Sequence, residues 1–258
     1  MTACVRSRAP NFARTELTWD FTVWIKIRSI RSIHGSLAAV FAITLIVTVL
    51  VLGTVGQEQA ERAGADAVLN AFFALNFGQI VAVAFGATAV SSEFLNGALR
   101  VSLAAVPRRS LFYAAKMTAI GGAVLVIGLV TSFAAFLVGQ LFLEEHAIGL
   151  GHPGALRAAI GGGIHLALMA LLAAGLAALM RSAVAVLSLL IPLLLIVPFV
   201  FVDVATAVVR YLPDRAGQAV LHQNPGDSLG PWTGLAVAAA WAAAALLAGW
   251  WAVRNRDA

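Results

Sequence analysis

"MTAIGGAVLVIGLVTSFAAFLVGQLF", Met117 to Phe142, contains no aspartate, glutamate, lysine or arginine. A helix needs about 20 mostly apolar residues to cross the hydrocarbon core of a bilayer. The run is long enough, and it lacks the period-two alternation of a barrel strand. On either side, runs of the same kind cover 37–55, 69–90, 158–180, 183–208 and 232–252. Of the 258 residues 61% are hydrophobic and 11% charged, with a mean hydropathy of +0.92. A soluble domain of this length has no interior large enough to hide that much apolar surface. The expected fold is all-α: a polytopic membrane protein with six transmembrane helices.

The charges outside these runs orient the chain. If residue 1 is cytoplasmic, 13 of the 17 Lys and Arg fall in 1–36, 91–116, 181–182 and 253–258. Only Arg62, Arg157, Arg210 and Arg215 fall on the far side. Lys and Arg in short loops set topology, so both termini are expected in the cytoplasm. Cys4 is the sole cysteine, which excludes an internal disulfide. The first apolar run begins near Leu37, too far in for a signal peptide, and no small-residue cleavage site follows it.

Two basic segments border the spans. In 15–33, "TELTWDFTVWIKIRSIRSI", helical spacing puts Trp19, Val23, Ile27 and Ile30 on one side, with Arg28 and Arg31 on another. That suits a helix lying in the headgroup layer; a frayed basic leader is the alternative. Residues 1–36 thus form a cytoplasmic tail and interfacial helix ahead of a membrane domain, 37–258. In 91–116, Ser91 or Ser92 can cap a short amphipathic helix that starts near Glu93; Pro107 stops it, and Ser110 can cap the next. Such a helix can dock on a soluble partner, or its arginines can serve topology alone.

Within the spans polar groups are few. Asn76 and Gln79 share a face of span two, and Gln79, Gly86 and Glu93 follow at steps of seven. That face can line a translocation path or bind helices together. Pro192 and Pro198 should kink span five. Asp203 is expected in the outer interface, and "VRYLPDRAGQAVLHQNPGDSLGPW" as an outer cap or re-entrant piece. Every fourth residue is small at Ala170, Ala174 and Ala178, and again at Ala236, Ala240, Ala244 and Ala248; both stripes are expected to pack. Trp232 and Trp250/Trp251 mark the two ends of span six. His165 can relay a proton or bond a neighbouring helix. No P-loop and no H-E-x-x-H occurs. The outer loop with Glu144, Glu145, His146 and His152 reads as solvated, so neither a catalytic residue nor a metal site is expected.

"WIKIRSIRS" (Trp24 to Ser32) directly before span one resembles the leader of bacterial ABC transporter permeases of the type-2 exporter family. "SSEFLNGALRVSLAAVPRRSLFYAAK" resembles that family's cytoplasmic segment after span two, through Glu93, Gly97, Arg100, Leu103, Pro107, Arg108, Arg109, Ala115 and Lys116. Ala98 departs from the family's usual Thr or Ser. The resemblance implies that the leader, with Trp24, Lys26, Arg28 and Arg31, is an interfacial connecting helix. It implies a coupling helix between spans two and three, with Glu93, Gly97, Arg100, Pro107, Arg108 and Arg109 transmitting motion from a separate ATPase subunit. ATP and Mg would be bound by that partner and no cofactor by this chain. A second permease chain would complete a path near Asn76, Gln79, Pro192 and Pro198. A bacterial inner-membrane location follows, without nucleic acid as a partner. A stand-alone secondary transporter or channel, or a membrane partner without transport, are the rival classes.

Overall fold

A computed structural model describes residues 35–54, 56, 58, 66–94, 109–143, 147–195, 209–223 and 229–255. By its internal contacts the chain divides into Met1–Ser36 and Leu37–Ala258, and all the described residues except Gly35 and Ser36 belong to the second unit. Every regular element among the described residues is helical. They are α1 (Gly35–Thr54), α2 (Ala67–Ala71), α3 (Leu75–Ser91), α4 (Arg109–Leu143), α5 (Ala155–Met180), α6 (Ala183–Leu195), α7 (Pro213–Gln218) and α8 (Pro231–Asn255). Short 3-10 turns extend α3 at Ser92–Phe94 and α7 at Ala219–Leu221.

Five helices are long and apolar enough to cross a membrane: α1, α3 with its 3-10 turn, α4, α5 and α8. Outward faces of the bundle are apolar as well, with Leu141 and Val184 76% and 77% exposed. The expected fifth span is described as α6 alone, 13 residues with Pro192 inside. Residues 196–208, Pro198 and Asp203 among them, lie outside the described residues, so the described residues hold five helices of spanning length and only part of the sixth expected span.

The bundle is built around α5. It is the most buried of the five and packs on α3, α4, α6 and α8. Its sequence explains this. Successive helical residues point about 100° apart, so the run Gly161-Gly162-Gly163 faces three ways at once. A Cβ on Gly161 would meet Val220, one on Gly162 would meet Leu75 and Ser132, and one on Gly163 would lie 2.8 Å from the Leu129 backbone. Farther along, a Cβ on Gly175 would fall 2.6 Å from the carbonyl carbon of Ala245 on α8. From α3, Gly86 presses against the Ala170 carbonyl in the same way. Dispersion between closely approached backbones replaces the hydrophobic driving force that lipid removes.

Several boundaries differ from expectation. Span two is not one helix: α2, N-capped by Asp66 Oδ1 accepting from Leu69 N at 3.0 Å, is separated from α3 by Phe72–Ala74. There the bonding shifts to i→i+3, as in Phe73 N to Asn70 O, and the Asn76 amide competes for the Phe73 carbonyl at 3.0 Å. Span three is longer than expected, since α4 runs unbroken for 35 residues from Arg109. Ser110 lies inside its first turn and accepts from Trp250 Nε1 at 3.2 Å instead of capping. The stripe Ala170, Ala174, Ala178 is buried as expected, but Ala236, Ala240 and Ala244 face outward. On α8 the packed line is Ala238, Ala242, Ala245 and Gly249, because Gly249 admits the Gly175 carbonyl. α1 turns Val40, Thr44, Thr48 and Leu52 inward. The Thr44 and Thr48 hydroxyls donate to carbonyls one turn back, at 2.7 and 2.8 Å, so they are buried without an orphaned donor.

Two glycines on α4 and α5 separate the effects of packing from those of propensity. Gly175→Ala should destabilise the protein by about 1–3 kcal/mol through overpacking. Gly122→Ala, whose Cβ would meet nothing within 4 Å, should be neutral or slightly stabilising. Thermal melts in detergent compare them, and equal melting of the two variants would refute the close-approach account.

Candidate functional site

The segment from Val209 to Gln223 positions the site. Leu212 is extended, and Pro213 opens α7 at the first helical position, where its missing N–H costs nothing. α7 lies against α8, with the Ala216 carbonyl so close to Gly234 that no side chain would fit there. The Tyr211 carbonyl accepts from Trp241 Nε1 at 2.9 Å, and Trp241 stands about 15 Å along α8 from Pro231 at 1.5 Å per residue. At its other end the segment is tied to the start of α5. Arg157 donates to the carbonyls of His222 (2.5 Å) and Gln223 (3.1 Å), while Gln223 N donates to Asp66 Oδ2 at 2.9 Å. His222 Nδ1 also approaches Asp66 Oδ2, at 3.3 Å. The segment therefore runs from about midway along α8 to the start of α5.

This path carries Asp214 into the core, where it is 3% exposed. Its carboxylate accepts from Gln218 Nε2 at 2.6 Å, and Gln79 of α3 lines the same cleft beside it. The Gln79 oxygen in turn lies 2.9 Å from His165 Nε2 on α5. An amide oxygen can only accept, so in this arrangement Nε2 bears the hydrogen. His165 Nδ1 then holds a lone pair. It is buried without a hydrogen-bond partner and covered by Gly217, where the ring leaves no space for a Cβ. Gln79 thus bonds α3 to α5, and Gln218 holds Asp214 within α7. Burial pushes the Asp214 carboxyl above the usual carboxylate range, against the opposing pull of the Gln79 side chain, the Arg215 charge and the Gln218 bond.

Beside these residues a cleft of about 210 Å³ opens between α3, α6 and α7. Phe73, Phe77 and Ile80 form one wall and Leu194 with Leu195 another; Asn76, Gln79, Asp214, Arg215 and Gln218 supply its polar surface. The Phe73 and Phe77 rings meet edge to face at 6.0 Å.

The residues singled out from sequence separate into groups. Asn76 and Gln79 do come together at the cleft, in different roles, since Gln79 joins helices while Asn76 sits on the rim. Pro192 lies on α6 one turn from the wall residues. Glu93 pairs with Lys116 of α4, and Arg109 opens α4. Gly97, Arg100, Pro107, Arg108, Pro198, Trp24, Lys26, Arg28 and Arg31 lie outside the described residues. His165 takes the helix-bonding alternative, through Gln79. Sequence reasoning missed Asp214, Arg215 and Gln218. A signal was present in "LPDRAGQ", where a proline start, a glycine and two polar side chains one turn apart stand among apolar neighbours.

Comparison with known proteins finds no matching family model, no matching curated protein and no matching solved structure.

Replacing Gln79 by Leu should cost about 1–3 kcal/mol, because His165 loses its buried partner. Asn76→Leu should cost far less, and equal losses in chemical or thermal unfolding would contradict the division of roles. Asp214 also predicts a pH dependence. A raised folded-state pKa contributes stability that is fully present below the ordinary carboxylate range and is lost as pH rises through the folded value. Wild-type melting temperature should fall across that window, and Asp214→Asn, which cannot ionise, should flatten the profile.

Proposed function

We propose that this chain is the transmembrane permease subunit of an ATP-driven ABC exporter, working as a dimer in a bacterial cytoplasmic membrane with both termini inside. The two motifs that resemble type-2 exporter permeases support it, together with five helices long and apolar enough to span. The positive-inside count supports the orientation. One observation carries the reading. Glu93 and Lys116, the acid and the lysine at the two ends of the second motif, lie 23 residues apart and form an ion pair. The pair ties the end of α3 to the first turns of α4.

The neighbours of that pair suit it to act as a lever. The Arg181 guanidinium, just past α5, lies 5.5 Å from the Phe94 ring, and Tyr113 donates to the Leu246 carbonyl on α8 at 2.9 Å. Trp250 of α8 holds Ser110 and is itself covered by Arg254, 5.4 Å from its ring. A push from a docked ATPase would pass at once into α3, α4, α5 and α8, as near-rigid helices. In this reading Gly97, Arg100, Pro107 and Arg108 meet the ATPase, and ATP and Mg stay on that subunit.

The full chain, tagged and purified from membranes of its own host, should bring a P-loop ATPase in stoichiometric amount, and liposomes holding both should show ATP-dependent flux. Glu93→Lys or Lys116→Glu alone should lower the coupled ATPase rate about fivefold, the equivalent of ~1 kcal/mol for a part-exposed pair. The double exchange should restore it. A chain that purifies alone and passes solute without ATP would overturn the reading.

The buried Asp214 and His165 favour one rival. A proton-coupled secondary transporter needs titratable groups inside the bundle, and Asp214 is one. Flux driven by a pH gradient in liposomes without ATP, abolished in Asp214→Asn, would select it.

A further inference from the structure

We infer that the cleft between α3, α6 and α7 binds an anionic amphiphile, with its phosphate or carboxylate head on Arg215 and its chain along the Phe73–Phe77 wall. As a statement about cargo this rests on the exporter reading; as a statement about binding it stands without it.

Charge is unevenly placed in the cleft. Asp214 is buried and its carboxylate is turned to Gln79 and Gln218. Arg215, the next residue, is exposed and lines the cleft. Among the described residues it forms no ion pair or hydrogen bond, although its field reaches Asp214. The other polar groups that line the cleft without a negative charge are neutral amides, of which Asn76 already donates to the Phe73 carbonyl and Gln218 to Asp214. What the cleft offers an incoming molecule is therefore a guanidinium, whose fork of N–H donors matches a phosphate or carboxylate.

The surroundings of that guanidinium decide the rest of the ligand. Gly217, two residues on, covers His165, which lies about 12 Å along α5 from Arg157. A cation carried to that depth by a segment packed among membrane-spanning helices is expensive, and such residues mark ligand or ion paths. Phe73, Phe77 and Leu195 leave 38%, 39% and 44% of their surface uncovered beside it. A cleft of about 210 Å³ is smaller than a site that encloses a drug-sized molecule. It accommodates a head and the first part of a chain, while the remainder lies along the exposed phenylalanines toward lipid. A hydrophilic solute would leave that wall unused, and a cationic amphiphile would meet Arg215 head on.

The test uses the full-length chain alone in nanodiscs of equimolar phosphatidylcholine and phosphatidylglycerol, with retained lipid counted by native mass spectrometry. Wild type should hold phosphatidylglycerol in preference to phosphatidylcholine, and added oleate should displace it. Arg215→Gln should weaken this binding about tenfold, as loss of a charge-assisted hydrogen bond does, and Arg215→Lys should retain part of it. Leu195→Trp, which fills the cleft and leaves Arg215 in place, should also lose the lipid; it serves as the measurement if Arg215→Gln does not assemble. Equal retention by wild type and both variants would overturn the inference, as would preferential binding of dodecyltrimethylammonium. Displacement by inorganic phosphate alone would replace the amphiphile with a small-anion site. No ATPase enters the assay, so failure here leaves the exporter reading to its own test.

Discussion

Between Gly175 and Ala245 there is no room for a methyl group, and the same holds between Gly86 and Ala170 and between Gly163 and Leu129. These approaches are the constraint on which the rest of the bundle depends. Lipid chains are as apolar as leucine, so burying a leucine between two membrane helices gains little over leaving it in lipid. Helices held there must gain from contact itself, and contact is richest where backbones touch. α5 meets that need on several sides because glycine and alanine occupy much of its length.

The same tightness accounts for the site. A helix with no side-chain bulk at Gly161 and Gly162 leaves space beside it, and Val220 and Leu221 of the returning segment fill that space. Gly217 and Gly234 then let α7 settle on the His165 ring and on α8. Once seated there, Asp214 has left water, and an unsatisfied carboxylate in that position would be prohibitive. Gln218, one turn on in α7, donates to it, while Gln79 presents its oxygen to His165 and so bonds α3 to α5. His165 Nδ1 is left without a partner, sealed by Gly217. Arg215 takes the opposite course. It stays at the cleft, because its neighbour has already used the inward position.

At the other end of the bundle the design differs. There the contacts are ionic and aromatic, Glu93 with Lys116 and Arg181 with Phe94, and with the bond from Trp250 to Ser110 they join the bases of four helices. Rigid small-residue seams along the bundle and a clamped base would make movement at either end a movement of whole helices. A local side-chain adjustment would not suffice.

Much of the fold was legible because hydrocarbon is an undiscriminating solvent: it requires long apolar runs, and those can be counted. Met117 to Phe142 had to be helix, and the inward stripe at Ala170, Ala174 and Ala178 followed from period four alone. The stripe at Ala236, Ala240 and Ala244 obeyed the same rule and faces outward. α8 is so rich in alanine that several lines along it are equally small, and only the position of Gly249 opposite Gly175 selects one. The break at Phe72–Ala74 and the depth reached by Asp214 were likewise not readable from local pattern. What the chain's own letters determine, then, is solvent, helical class and the sites of charge, since each depends on a residue and its near neighbours. Which face packs, and which polar groups meet, was decided only in three dimensions. Gln79, His165 and Asp214 are separated by 86 and 49 positions along the chain. Their partnership exists because backbone contacts of a few ångströms set where α3, α5 and α7 can lie, and no periodicity in the sequence encodes a distance between helices.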